Sequence, residues 1–270
     1  MRGTSLASLS AAQVRFEPVL AAAGTQAITL GEQLFAVVDA LDSSGSLRRT
    51  LSDQSIESGA KAGLVAGVLA RSDKRVVDVV TLLAQAHWSS AEDLVDAVER
   101  LGFDALLVSA QASGQLERVE DELFRITRSL VGQREVRQAL FDPRVPGDKR
   151  ADLAENLLRG KVADATLAVA RRAAEAPRGR RFVATLGHVA DLAAARRERL
   201  VAAVTSGSEL SPAQLERLGS ILQQAYGQDL QLNVTVDPEI LGGLRIQVGA
   251  DVVDSTVLAR LADARRRLAS

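Results

Sequence analysis

The chain has 270 residues and no cysteine, which excludes a disulfide frame and thiolate chemistry; its two histidines, His87 and His188, are too few for an imidazole-built metal site. Hydrophobic residues make up 47%, charged residues 25% and aromatic residues 3%, and no apolar run approaches the ~18 residues of a membrane-spanning helix, so direct membrane insertion is not expected. The net charge of −1 is unevenly spread: residues 1–100 hold 9 basic and 12 acidic side chains, residues 101–205 hold 18 and 14, and residues 206–270 hold 6 and 8, which suits these stretches to different neighbours.

The opening MRGTSLASLSAAQVRFEP lacks an apolar core of signal-peptide length. From there to about residue 200 the spacing predicts helices. In GEQLFAVVDAL, Leu34, Val37, Val38 and Leu41 recur at helical intervals, and in EDELFRITRSL, Leu123, Ile126 and Leu130 do the same. From Leu34 to Leu123 is an offset of 89 residues. Held without gaps, it pairs Arg48 with Arg137, Leu51 with Leu140, Asp53 with Asp142, Lys61 with Arg150 and Leu69 with Leu158. This register predicts a duplicated helical bundle, with one copy in residues 1–100 and the other in residues 101–203.

After about residue 200 the texture changes. VAAVT (201–205) reads as a short strand. Ser211 caps a helix that has Pro212 at its first position and Gly227 at its end. LQLNVTV (230–236) and LRIQV (244–248) alternate as strands. A last helix is expected from near Ser255 to Leu268, with Arg265, Arg266 and Arg267 at the negative end of its dipole. The fold class is therefore mainly α: two tandem small helical bundles, then a small β-α-β-β-α domain in residues 204–270.

The search for chemistry returns little. Gly242 and Gly243 follow Asp237 and Pro238 and lead into a strand, whereas a dinucleotide fingerprint runs from a strand into a helix; they read as a structural turn. No phosphate loop, acid–base carboxylate pair or nucleophile with a neighbouring base stands out, so no enzyme activity and no cofactor are expected. Eight arginines between 171 and 199 form a basic cluster with only Phe182 interleaved. That pattern fits a solvated helix hairpin or an acidic protein partner better than nucleic acid, which asks for stacking aromatics.

The stretch LNVTVDPEILGGLRIQVGADVVDSTVLARLADARRRL resembles the C-terminal signature of the δ subunit of F-type ATP synthases, the oligomycin-sensitivity-conferring subunit of mitochondria. The matching elements are a strand, Asp237-Pro238, Ile240-Leu241-Gly242-Gly243, a second strand, and Asp254-Ser255 before a helix that ends in basic residues; family members often have Gly where this chain has Ser255. GFDALLVSAQASGQLERVEDEL (102–123) and FDPRVPGDKRADLAENLL (141–158) are similar to earlier parts of the family, although its usual Tyr-Ala opening is replaced by Phe103 and Ala105. The likeness covers about residues 101–270, and the additional copy resembles the extended form of actinobacteria, unfused to a membrane-anchored b segment.

The resemblance implies a non-catalytic stator subunit, peripheral at the cytoplasmic face of the cell membrane, that joins the α/β headpiece to the peripheral stalk. It implies an amphipathic helix from the N-terminus of an α subunit as partner of the helical bundle, and the C-terminus of the b subunit as partner of the last domain. The groove residues expected from helix order are Leu106, Leu107, Leu167 and Val169, and the expected stalk contacts are Leu258, Leu261 and Leu268. The acidic first copy is expected to bind a second α N-terminus or another part of the stalk. A helical adaptor unrelated to ATP synthase has the same composition but no need of the Gly-Gly β domain.

Overall fold

A computed structural model describes residues 1, 3–198, 201–226, 230–238, 240, 242–249 and 251–254. It separates into two compact units, Met1–Ala193 and Ala194–Ser270. In the first unit come α1 (Gly3–Ala23), a 3-10 turn (Gly24–Gln26), α2 (Ala27–Ser43), α3 (Gly45–Ser52), α4 (Ser58–Val68), α5 (Lys74–Gln85) and α6 (Ala91–Ala112). They are followed by α7 (Leu116–Ser129), α8 (Arg134–Ala139), α9 (Gly147–Leu158), α10 (Asp164–Glu175) and α11 (Phe182–Glu198), the last of which runs past the division at Ala193.

The order α2–α5 recurs as α7–α10, and the equivalent positions do the same work. Leu34 and Leu123 are both fully buried, as are Leu51 and Leu140. Asp53 accepts the backbone N–H of Ser55 at 2.8 Å, and Asp142 that of Arg144 at 3.0 Å, so each opens the same turn. Lys61 and Arg150 are buried cations at the ends of other helices: Lys61 Nζ donates to the Ala84 carbonyl at 2.8 Å, and Arg150 Nε to that of Ala174 at 2.8 Å. Each satisfies an orphan carbonyl where the helix dipole is negative. Gln33 and Glu122 likewise accept the backbone N–H of Asp73 and of Ala163, next to the starts of α5 and α10.

The expected division between residues 100 and 101 falls inside α6. This helix packs with α1, α2, α3 and α5 on one side of the chain and with α7 and α10 on the other. It is buried almost all round, from Leu94 to Ala110, with its Glu99 and Asp104 held in ion pairs. It closes the first copy and opens the second, so the two copies form one unit. Close approach of α2 to α6 depends on two glycines. A Cβ on Gly31 would lie 2.9 Å from the Gly102 carbonyl oxygen, and one on Gly102 would lie 2.5 Å from the Phe35 ring.

The second unit holds β1 (Val201–Ser206), α12 (Pro212–Tyr226), β2 (Gln231–Val236), β3 (Leu244–Val248) and β4 (Asp251–Asp254). The strand order is β2-β1-β3-β4, with β1 parallel to β2 and the other pairs antiparallel. The crossover through α12 makes the parallel pair possible. Leu218 and Leu222 of α12 pack into a small core with Ala202, Val204 and Val248. β1 begins at Val201, so a boundary at 203/204 cuts a strand. The stretch 251–254 adds a fourth strand to the expected three: Val252 and Val253 pair with Gln247 and Ile246. The last expected helix lies outside the described residues.

Candidate functional site

Three of the four residues expected to line a partner groove have no surface to offer. Leu106, Leu107 and Val169 are fully buried, and only Leu167 is half-buried. The reason is α2. It lies against α6, with Gly31 against Leu106 and the Phe35 ring edge-on to Phe103 at 5.1 Å between centroids. One turn beyond Val169 on α10, the buried Arg172 donates to the Asp39 carboxylate of α2 at 2.7 and 2.9 Å and stacks over Phe35 at 4.9 Å. A helix of the chain itself thus covers Leu106 and engages Arg172.

Part of the basic cluster is engaged at the same contact. Arg178 pairs with Asp42 at 2.8 Å, Asp96 at 3.0 Å and Glu99 at 3.2 Å, and Arg180 also binds Glu99. Arg171 pairs with Glu155. Three of the eight arginines, Arg172, Arg178 and Arg180, thus take their acidic partners from the first copy of the same chain. Arg178 adopts φ 46°, a left-handed conformation that few non-glycine residues take, which three acids around its guanidinium compensate. Burial lowers the pKa of His188, and the Arg100 and Arg180 charges add to the effect, so the imidazole is neutral at pH 7.

In the second unit the Gly-Gly turn is held by backbone bonds. Asp237 N–H donates to the Ser206 carbonyl at 2.8 Å, tying the turn to the end of β1, and Ile240 N–H donates to the Asp237 carbonyl at 3.1 Å. Gly242 and Gly243 have φ of 72° and 89°, the region that favours glycine. Pro238 stands in the same turn. A cleft of about 510 Å³ lies beside it, lined by Gly207, Leu210, Arg217, Ile221, Ile240 and Gly243 among others. Ile221 is exposed there. Leu258, Leu261 and Leu268 lie outside the described residues. Among the described residues no group of three or more His, Asp or Glu is placed to hold a metal ion.

An all-helical unit built on a repeat, followed by a small sheet with a Gly-Gly turn, is the kind of protein whose described surfaces are made of packing and ion pairs. The family model described as "ATP synthase delta (OSCP) subunit" matches residues 104–268. An ATP synthase subunit delta of Beutenbergia cavernae is 54% identical over 270 residues, which is 100% of each chain. That of Kineococcus radiotolerans is 45% identical, covering 99% of this chain and 97% of its own, and that of Streptomyces avermitilis is 42% identical, covering 99% and 98%. The chain belongs to the ATP synthase delta (OSCP) subunit family. The first copy lies outside the family model, yet it is shared with these relatives over their full length.

Proposed function

We propose that this chain is the non-catalytic stator subunit of an F-type ATP synthase. It joins the top of the α/β headpiece to the b subunit of the peripheral stalk, so that rotor torque drives ATP synthesis. The observation that carries this reading is the end-to-end match to ATP synthase delta subunits. The shared α6 and the ion pairs between copies support it, because a stator must carry load without shearing. No described helix is long and apolar enough to cross a membrane, which fits peripheral attachment through the complex at its cytoplasmic face.

For the N-terminal helix of the α subunit, the covered α6–α10 face points to its repeat equivalent. In the first copy α1 packs on α5 as α6 does on α10, and Leu6 and Val14 of α1 remain exposed. An amphipathic helix laid there would bury them. The C-terminus of the b subunit is assigned to the second unit, with Leu258, Leu261 and Leu268 as its contacts. Neither partner asks for a cofactor or for nucleic acid.

The test is a pull-down from solubilised membranes of the source cells, with the full chain as bait and mass spectrometry as readout. Recovery of α, β and b subunits is expected, with α reduced by Val14→Glu. Recovery of other partners without ATP synthase subunits would overturn the stator reading in favour of an unrelated helical adaptor.

A further inference from the structure

The two copies part company at one place where the repeat calls for a match. In the first copy Arg48 of α3 stands between two acids, Asp42 at 3.7 Å and Glu92 at 3.5 Å, and α3 packs against α2, α5 and α6. Arg137 of α8 occupies the repeat position of Arg48. The position of Asp42 is taken by Val131, 76% exposed. A register of 91 residues here, two more than the 89 of the preceding helices, sets the buried Val95, Val98 and Leu101 of α6 against the buried Leu186, Val189 and Leu192 of α11 and puts Val183 in the place of Glu92, where the ungapped 89 would put Arg181. In this register both acids of the first copy are valine in the second.

The consequences are charge without a partner and an open apolar surface. Among the described residues Arg134, Arg137 and Arg181 have no carboxylate within ion-pair distance. Between α8 and the start of α11 lies a cleft of about 850 Å³, lined by these three arginines together with Phe141, Phe182 and Val183. Arg144 also lines it but is occupied by Asp142 at 2.7 Å. Guanidinium groups stay charged at any working pH and bind carboxylates through paired N–H donors. An apolar cleft set among such groups suits a helix with an apolar stripe flanked by acids.

We propose that the cleft between α8 and the start of α11 binds an acidic amphipathic helix of a partner subunit. Its carboxylates take the role that Asp42 and Glu92 play in the first copy. This is a different face from α1–α5, and it rests on the stator reading for the complex in which it is tested.

The full chain carrying Gln138→p-benzoylphenylalanine, in the exposed wall of the cleft, is expressed in the source cells, and the complex is irradiated and purified. Arg49→p-benzoylphenylalanine, at the repeat-equivalent position of the first copy, is the control. The expected result is a cross-link from 138, not from 49, to a segment of another subunit with apolar residues three and four apart and Asp or Glu beside them. Arg137→Glu should lower its yield at least tenfold, as should Val131→Asp, while α and β still co-purify. A cross-link to lipid, nucleic acid, a basic segment or this chain alone would overturn the proposal, as would no cross-link or a yield unmoved by Arg137→Glu. Loss of α and β from the purified material would overturn the stator reading instead, and the sequence of the cross-linked peptide would then judge the cleft.

Discussion

Glu99 is 3% exposed and sits between two arginines from the far end of the helical unit. Removing its charge leaves Arg178 with its weaker, more exposed partners, so Glu99→Gln is expected to cost roughly 1–3 kcal/mol of stability in urea unfolding. A loss below a few tenths would mean that water serves these arginines as well as the carboxylate does. Asp142 shows a separate effect. Hydrogen bonds from the Arg144 side chain and then its backbone N–H hold the carboxyl pKa at about 2, below the ordinary 3.8. Asp73 is held at about 2 by Arg75 in the same way. A depressed carboxyl contributes stability above its unfolded pKa and loses it as pH falls through the folded value. Asp142→Asn should therefore flatten the fall in urea midpoint between about pH 4 and pH 2 and leave its slope near pH 7 unchanged. An identical profile in both chains would show that the turn is not formed.

Helix propensity and packing pull in opposite directions at the helical glycines, and the element decides which wins. Gly63, in the interior of α4, has nothing within 4 Å of an added Cβ, so Gly63→Ala should gain about 0.5–1 kcal/mol. Gly102 of α6 has the Phe35 ring at 2.5 Å, so Gly102→Ala should lose about 1–3 kcal/mol despite the same propensity gain. Melting of the two variants beside the parent separates these signs; a gain at both would mean that α2 does not sit tightly on α6. Lys61 belongs to this scale as well. Lys61→Met keeps the stem but strips the donor from the Ala84 carbonyl at the end of α5, and roughly 1–3 kcal/mol should be lost in chemical denaturation.

Over the whole molecule, sharing α6 makes the helical unit cooperative. A chain ending at residue 98 loses most of the helix that closes the first copy, whereas one ending at residue 113 keeps it. Far-UV circular dichroism should show no cooperative melt for the first and a sharp one for the second. A sharp melt for residues 1–98 would show that α1–α5 suffice as a core. The ion pairs between copies make a further demand: Met1–Ala193 should unfold as one body, at a midpoint that falls as Glu99 and Arg172 are removed in turn.

Local order was written in the chain. The helical periods and the glycine turn after Asp237-Pro238 are short-range patterns of side-chain chemistry and spacing, and the 89-residue register that makes Lys61 the equivalent of Arg150 is a repeat of such patterns. So was the family, through its C-terminal signature. The sequence alone also showed an acidic first copy and a basic second one, but not that they were partners. Asp39 and Arg172 are 133 residues apart, and nothing in a local period encodes such a contact. For the same reason Leu106, Leu107 and Val169 read as an apolar groove, although the fold buries all three. Periodicity tells which face of a helix is apolar; only the tertiary structure decides whether that face is covered by the chain itself or left for another protein.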